Sequence, residues 1–254
     1  MFKFLRHIFC ILTITVLISN IISLMSLLAL GYGSFYKPSY LANKDLSFSL
    51  DYIVLGSSTG LTTLNTVEID SILKTRSLNL SMDDTGMSTH LLMLKHFFNN
   101  GGKTDLCILA PTVSSYNNFN NKLSSNDYRF LPYINEPYVN EYFRGFKQYE
   151  AKLLANSDWQ PVLGVGYYNS ELFYPSILSL FESERRNRFD VSGNYTYPIK
   201  KNTSSPITHR ETISITFNNA ILEKIANLCK DNQVKLVCYI TPLRDKVATL
   251  DRQE

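Results

Sequence analysis

Gly56-Ser57-Ser58-Thr59-Gly60 places three hydroxyls between two glycines, directly after the apolar run Tyr52-Ile53-Val54-Leu55. A buried strand that ends in Gly and passes into a helix puts Ser58 at the carboxyl edge of a parallel sheet, where open α/β folds hold their sites. The glycine lets the backbone turn sharply, and the free N–H groups of the helix start can hold an oxyanion while a serine attacks a carbonyl. The chemistry this predicts is acyl transfer. The same residues are also ordinary helix caps, and the segment alone leaves both readings open. It satisfies G-x-S-x-G, but several strands precede the nucleophile elbow of α/β-hydrolases, and only one precedes it here. Neither phosphate-cradling glycine pattern is present.

A serine needs a general base, and the sequence holds four histidines. His7 precedes a long apolar run. His90 and His96 are six apart on a predicted helix, about 240° around its axis, so they face different ways and are expected at surface or half-buried positions. His209 flanks a predicted helix and is the remaining candidate base. Cys10, Cys107, Cys229 and Cys238 form no C-x-x-C pair and have no zinc-spaced histidine, so neither a disulfide framework nor a metal is expected. No cofactor is expected either, because the serine route needs none. A net charge of +3, evenly spread, argues against a nucleic-acid partner.

Ile8 to Leu30 is 23 residues without a charge, preceded by Lys3 and Arg6. Such a run crosses a hydrocarbon core of roughly 30 Å. The positive-inside rule then predicts a single-pass anchor with residues 1–7 in the cytoplasm, 8–30 in the bilayer, a polar linker over 31–48, and an extracytoplasmic domain over 49–254. Cleavage as a signal peptide after Ala29-Leu30-Gly31 is the alternative; it exports the domain equally. Tyr32, Phe35 and Tyr36 are expected at the far lipid interface, and the Ser, Thr and Asn20 side chains of the span on their own backbone carbonyls.

Parallel strands are predicted at 52–56, 77–80, 106–110 and 234–240, with helices over 67–73, 91–98 and 213–229 between them. Alternation of strands and helices predicts an α/β domain with a flavodoxin-like parallel sheet covered by helices on both faces. Residues 114–208 read as a long insertion, with a helix at 171–181 and a strand-turn element at Phe189–Tyr195. In it, Tyr116, Tyr128, Tyr133, Tyr138, Tyr142 and Tyr149 are expected to pack, with stacking on sugar rings as the alternative. Arg185, Arg186, Arg188, Lys200 and Lys201 are expected to form a solvated basic face or to meet anionic glycan or headgroups.

A first strand ending in Gly-Ser-Ser, Asn79-Leu80-Ser81 after the second, and a membrane anchor together resemble the SGNH (GDSL-like) hydrolase superfamily. The nearest branch is extracytoplasmic: the membrane-anchored D-alanine transfer proteins of teichoic acid and the related polysaccharide O-acetylation proteins. The resemblance implies Ser58 as nucleophile and the amides of Ser58 and Ser81 as the oxyanion hole. Phe189-Asp190 with Gly193-Asn194-Tyr195 is similar to a further segment of these proteins. The third block of the superfamily, Gly-x-Asn, is replaced by Ala110-Pro111-Thr112-Val113, with Asn117 and Asn118 farther along; the last, Asp-x-x-His, has no counterpart, and Asp245 lacks its histidine.

The implied function is that of an acyl esterase or acyltransferase on cell-envelope polysaccharide, with little or no activity in this chain because its acid-base block and the closing strand and helix are expected to be missing. The alternative is a non-catalytic glycan-binding or scaffolding component of a polysaccharide-modifying complex. Expected partners are the bilayer and an envelope glycan or acyl-carrying membrane protein.

Overall fold

The computed structural model describes residues 2–112, 115–116, 122–181, 189–195, 211–215, 220–240 and 248–252. They divide into two compact units, Met1–Asn43 with Asp127–Arg188, and Lys44–Asn126 with Phe189–Glu254. The basic cluster, Asn117, Asn118, His209 and Asp245 lie outside the described residues.

The first unit is helical. α1 (Phe2–Tyr32) is long and apolar enough to cross a membrane. Thr13, Thr15 and Ser26 bond the carbonyls four residues back, at 2.9, 2.9 and 3.0 Å, which satisfies hydroxyls in an apolar setting. Asn20 does the same through Nδ2, at 2.9 Å from the Val16 carbonyl.

Residues 37–42 form α2 (Lys37–Ala42) where a polar linker is expected. Its polarity misleads because Tyr36, Tyr40 and Leu41 bring enough apolar surface to bury the whole turn. Phe35 and Tyr36 are buried with it instead of lying at a lipid interface, and only Tyr32 is exposed. The Tyr36 hydroxyl donates to the Glu171 carbonyl, and the Arg129 guanidinium lies 5.4 Å from the Tyr36 ring centre. Asn43 closes α2 and donates to the Gly31 carbonyl at 2.6 Å, tying the end of α1 to the turn that follows.

Residues 127–181 join this unit as a 3₁₀ segment (Asp127–Tyr133), α6 (Pro137–Arg144), α7 (Tyr149–Ala155), α8 (Pro161–Tyr167) and α9 (Phe173–Phe181). They pack with α1 and α2, so the expected insertion is mostly a helical partner of the apolar helix. Of its tyrosines, Tyr149 is exposed and the others named above are buried or half-buried.

The second unit is α/β. Strands β1 (Leu50–Gly56), β2 (Ser77–Asn79), β3 (Thr104–Ala110) and β5 (Lys235–Cys238) form a parallel sheet in the order β2-β1-β3-β5. Helices α3 (Ser58–Thr63), α4 (Thr66–Leu73), α5 (Met87–Asn99) and α10 (Ala220–Asp231) connect and cover it. Tyr52, Val54 and Ala110 meet Leu64 and Ile69 on one face. Ile53, Leu55, Cys107 and Leu109 are buried on the other, as strand alternation requires. There the free thiol of Cys107 is a neighbour of Cys229 of α10, and that neighbour together with burial holds its pKa well above the ordinary thiol value.

Two expectations fail in the last third. Of the stretch expected as a helix at 213–229, residues from Ala220 on form α10, whereas Ile213 to Ile215 belong to β4 (Glu211–Ile215), which pairs in parallel with β6 (Ala248–Arg252) in a separate sheet. Glu-Thr-Ile-Ser-Ile alternates with period two and carries β-branched residues, which favours a strand. A strand therefore does follow β5, although outside the four-stranded sheet. Phe189–Tyr195 forms a turn with no strand: Asp190 Oδ1 accepts the N–H groups of Ser192 and Asn194, both at 2.9 Å, and Gly193 sits at φ +81°.

His90 and His96 are both buried, which corrects their expected exposure: α5 lies between β1 and α10, so opposite sides of it are covered. His96 contacts Asn100, Nδ1 to Nδ2 3.3 Å, whereas His90 Nε2 has no partner among the described residues. Burial lowers the His90 pKa to about 3 from 6.5. Between those values the unfolded chain binds a proton that the folded chain refuses, so stability falls as pH falls through this window. Chemical denaturation at pH 7.5 and pH 5 is expected to show His90→Leu losing about 2 kcal/mol less than the parent on acidification.

Candidate functional site

β1 carries Gly56 to within a few ångströms of the end of β3. A Cβ on Gly56 would lie 2.1 Å from the Ala110 carbonyl oxygen, and one on Gly60 would lie 2.9 Å from the same oxygen and 2.7 Å from Ser81 Oγ. No side-chain carbon fits at either place, so the glycines that frame the three hydroxyls let α3 settle on the ends of β1 and β3. The site lies where the strand order turns, with β2 on one side of β1 and β3 on the other.

The hydroxyls then divide. Ser57 is buried, and its Oγ is 2.9 Å from both Thr59 Oγ1 and Thr112 Oγ1. Ser58, the first residue of α3, is half-buried, and its Oγ has no hydrogen bond among the described residues; its carbonyl accepts from Thr62 at 2.8 Å. One hydroxyl is fixed in a partly buried network, and its neighbour is left available at the sheet edge. Thr112 lies just past the end of β3, the strand next to β1.

Ser81 is fully buried at the end of β2. Its N–H donates to Asn79 Oδ1 at 3.0 Å, and its Oγ is without a partner among the described residues. The structure thus gives the Ser81 amide a resident acceptor, which an oxyanion would have to displace. Asn79 is the hub of this corner: its Nδ2 also reaches the Gly60 carbonyl at 3.2 Å and Asn194 Oδ1 at 3.2 Å. Asn194 Oδ1 accepts in addition from Thr66 N and Oγ1, at 3.3 and 3.1 Å, while its Nδ2 bonds Asp190 at 3.0 Å. The Asp190–Asn194 turn is a clamp between β2 and α4. Sequence reasoning left Asn79 and Asn194 without this role because their meeting spans 115 residues of chain.

A cleft of about 530 Å³ runs along α3 beside this clamp, lined by Leu61, Thr62, Asn65, Val67, Asp190, Asn194 and Tyr195. It begins one helical turn beyond Ser58. Among the described residues no histidine bonds a serine of this site, and no cluster of His, Cys, Asp and Glu could hold a metal ion. Compared with known proteins, the chain matches no family model, no curated protein and no solved structure.

Urea titrations should separate positions that build this corner from the one it presents. Asn194→Ala strands the buried Thr66 N–H and hydroxyl and is expected to cost about 2–4 kcal/mol. Gly60→Ala drives a methyl against backbone and is expected to cost about 1–3 kcal/mol. Ser58→Ala is expected to stay within about 0.5 kcal/mol of the parent, and a larger loss would make Ser58 a structural residue.

Proposed function

We propose that this chain is a membrane-anchored, SGNH-like acyl-transfer protein whose nucleophile is Ser58 and whose domain faces the cell envelope. The observation that carries the reading is the half-buried, unbonded Ser58 Oγ at the carboxyl end of β1. A parallel sheet whose first three strands lie in the order β2-β1-β3, as they would in a flavodoxin-like sheet, and an α1 long and apolar enough to anchor support it.

In this reading Ser58 Oγ adds to the carbonyl of an acylated envelope glycan and yields its proton to a base. The tetrahedral oxyanion is held by the Ser58 amide and, once Asn79 releases it, the Ser81 amide. Collapse expels the sugar alcohol and leaves an acyl-serine, which water or a second alcohol resolves. The clamp between β2 and α4 keeps Ser81 and α3 in register, and the adjacent cleft, polar at Asn65 and Asp190 and apolar at Leu61 and Val67, is where a sugar would lie.

The sequence contains no Asp-x-x-His, and among the described residues no base touches Ser58. A serine hydroxyl without a base is a weak nucleophile. The full chain in detergent is therefore expected to release acetate from an acetylated polysaccharide slowly, and added imidazole, a soluble base, is expected to raise the rate in the parent above that in Ser58→Ala. Equal rates in the two proteins at every imidazole concentration would remove Ser58 as nucleophile. Retained polysaccharide binding with such equal rates would favour the second reading, a glycan-binding module, for which the cleft is the supporting observation.

A further inference from the structure

We infer that the chain enters the bilayer by more than one helix, because α8 and α9 lie in lipid against α1 and are part of the anchor. The inference rests on the membrane reading of α1 and extends it.

Trp159 to Phe181 is 23 residues with a single charge, Glu171. Within it α9 is built inside out for a helix in water. It buries Pro175, Ser176 and Ser179 and turns outward Phe173, Tyr174, Ile177, Leu180 and Phe181, the last 82% exposed. A helix that meets water does the reverse, since its large apolar residues gain most from burial. Where the surroundings are lipid, small residues let helices approach and large apolar ones face the chains.

The protein side of α9 agrees. α8 and α9 both pack on α1, whose buried residues are likewise small or confined to one side: Ser23, Ser26, Leu27 and Leu30. Three of the buried hydroxyls are satisfied within their own helices, Ser176 on Phe173, Ser179 on Ser176 and Ser26 on Ile22. Asn20 takes the N–H of Val162 at the start of α8, 3.3 Å away, pairing a polar group of the span with a helix-start donor. The opposite side of α1, with Ile21, Leu24, Met25 and Leu28, remains exposed. The outward faces of α1 and α9 are thus apolar along the same stretch of the unit, and the occupant that covers both without a polar partner is the hydrocarbon of the bilayer. α9, at 1.5 Å per residue, is about 13 Å long, the depth of roughly one leaflet.

Trp159 is the only tryptophan, so a Trp159→Phe background is silent. Full chain carrying either Leu17→Trp or Leu180→Trp in that background would be reconstituted into phosphatidylcholine vesicles with acyl-chain bromines. Both replaced leucines are more than half exposed, which leaves room for the larger ring. Both tryptophans are expected to emit in the blue, to lose about half their emission to the bromines and to ignore aqueous iodide. Quenching at position 17 with iodide-sensitive, bromine-insensitive emission at 180 overturns the α8–α9 inference and leaves the α1 anchor standing. Bromine-insensitive emission at both positions overturns the two together.

Discussion

The Ala110 carbonyl is approached from two sides by backbone that has no side chain. Glycine is the only residue type that fits over it at positions 56 and 60, which lets α3 start at Ser58, with only Ser57 between it and the end of β1. Everything at the sheet edge follows from that seat. Ser57 is pushed inward to the hydroxyls of Thr59 and Thr112, and Ser58, one residue on, is turned outward at the first position of α3. The G-x-x-x-G frame that formally completes an elbow motif therefore has a packing cause first, and an exposed hydroxyl is its by-product.

The second constraint is amide chemistry. Asn79 and Asn194 are one acceptor–donor unit whose four side-chain polar atoms are all bonded, so the turn at Asp190 is held to β2 and α4. Such a corner is rigid, and rigidity is what an oxyanion site would need. It also commits the Ser81 amide to Asn79, so the same bonds that would hold a reacting carbonyl in place compete with it for a donor.

Strands β1 to β3 and β5 are legible in the sequence because each is a short apolar run ended by Gly, Pro or a turn; burial on both faces erases alternation in β1 and β2, whereas β5 is mostly exposed. Helices α4 and α5 are legible from their periodicity. What fails is local pattern opposed by distant packing. The 31–48 stretch reads as linker by composition, yet Tyr36 finds a partner more than a hundred residues away in the helical segment, and Tyr40 is buried. Residues 213–215 are absorbed into a longer helical window because Ile213 suits both periods. His90 and His96 are misread because a single helix pattern shows which residues share a face and gives no count of how many faces are covered. At the site, the seat of Ser58 is visible from the strand–Gly–hydroxyl order; the Thr112 and Asn194 partners are not, since only strand order brings them near.

The two units solve opposite solvation problems with one chain. In the α/β unit, carbon is placed inside and hydroxyls at the edge, and a histidine enters the interior only by giving up its charge. In the helical unit, α9 hides serines and displays phenylalanine and leucine. The two rules cannot serve the same solvent, since a face of Phe173, Leu180 and Phe181 left in water would outweigh the small contact area that Ser176 and Ser179 bury beneath it. Read through the sequence, the change falls between Asp158, which still pairs with Arg144 at 3.2 Å, and Trp159, after which charge almost vanishes. An ion pair open to water and a run of 23 residues with a single charge are neighbours in the chain, so the change from one rule to the other falls at the start of α8.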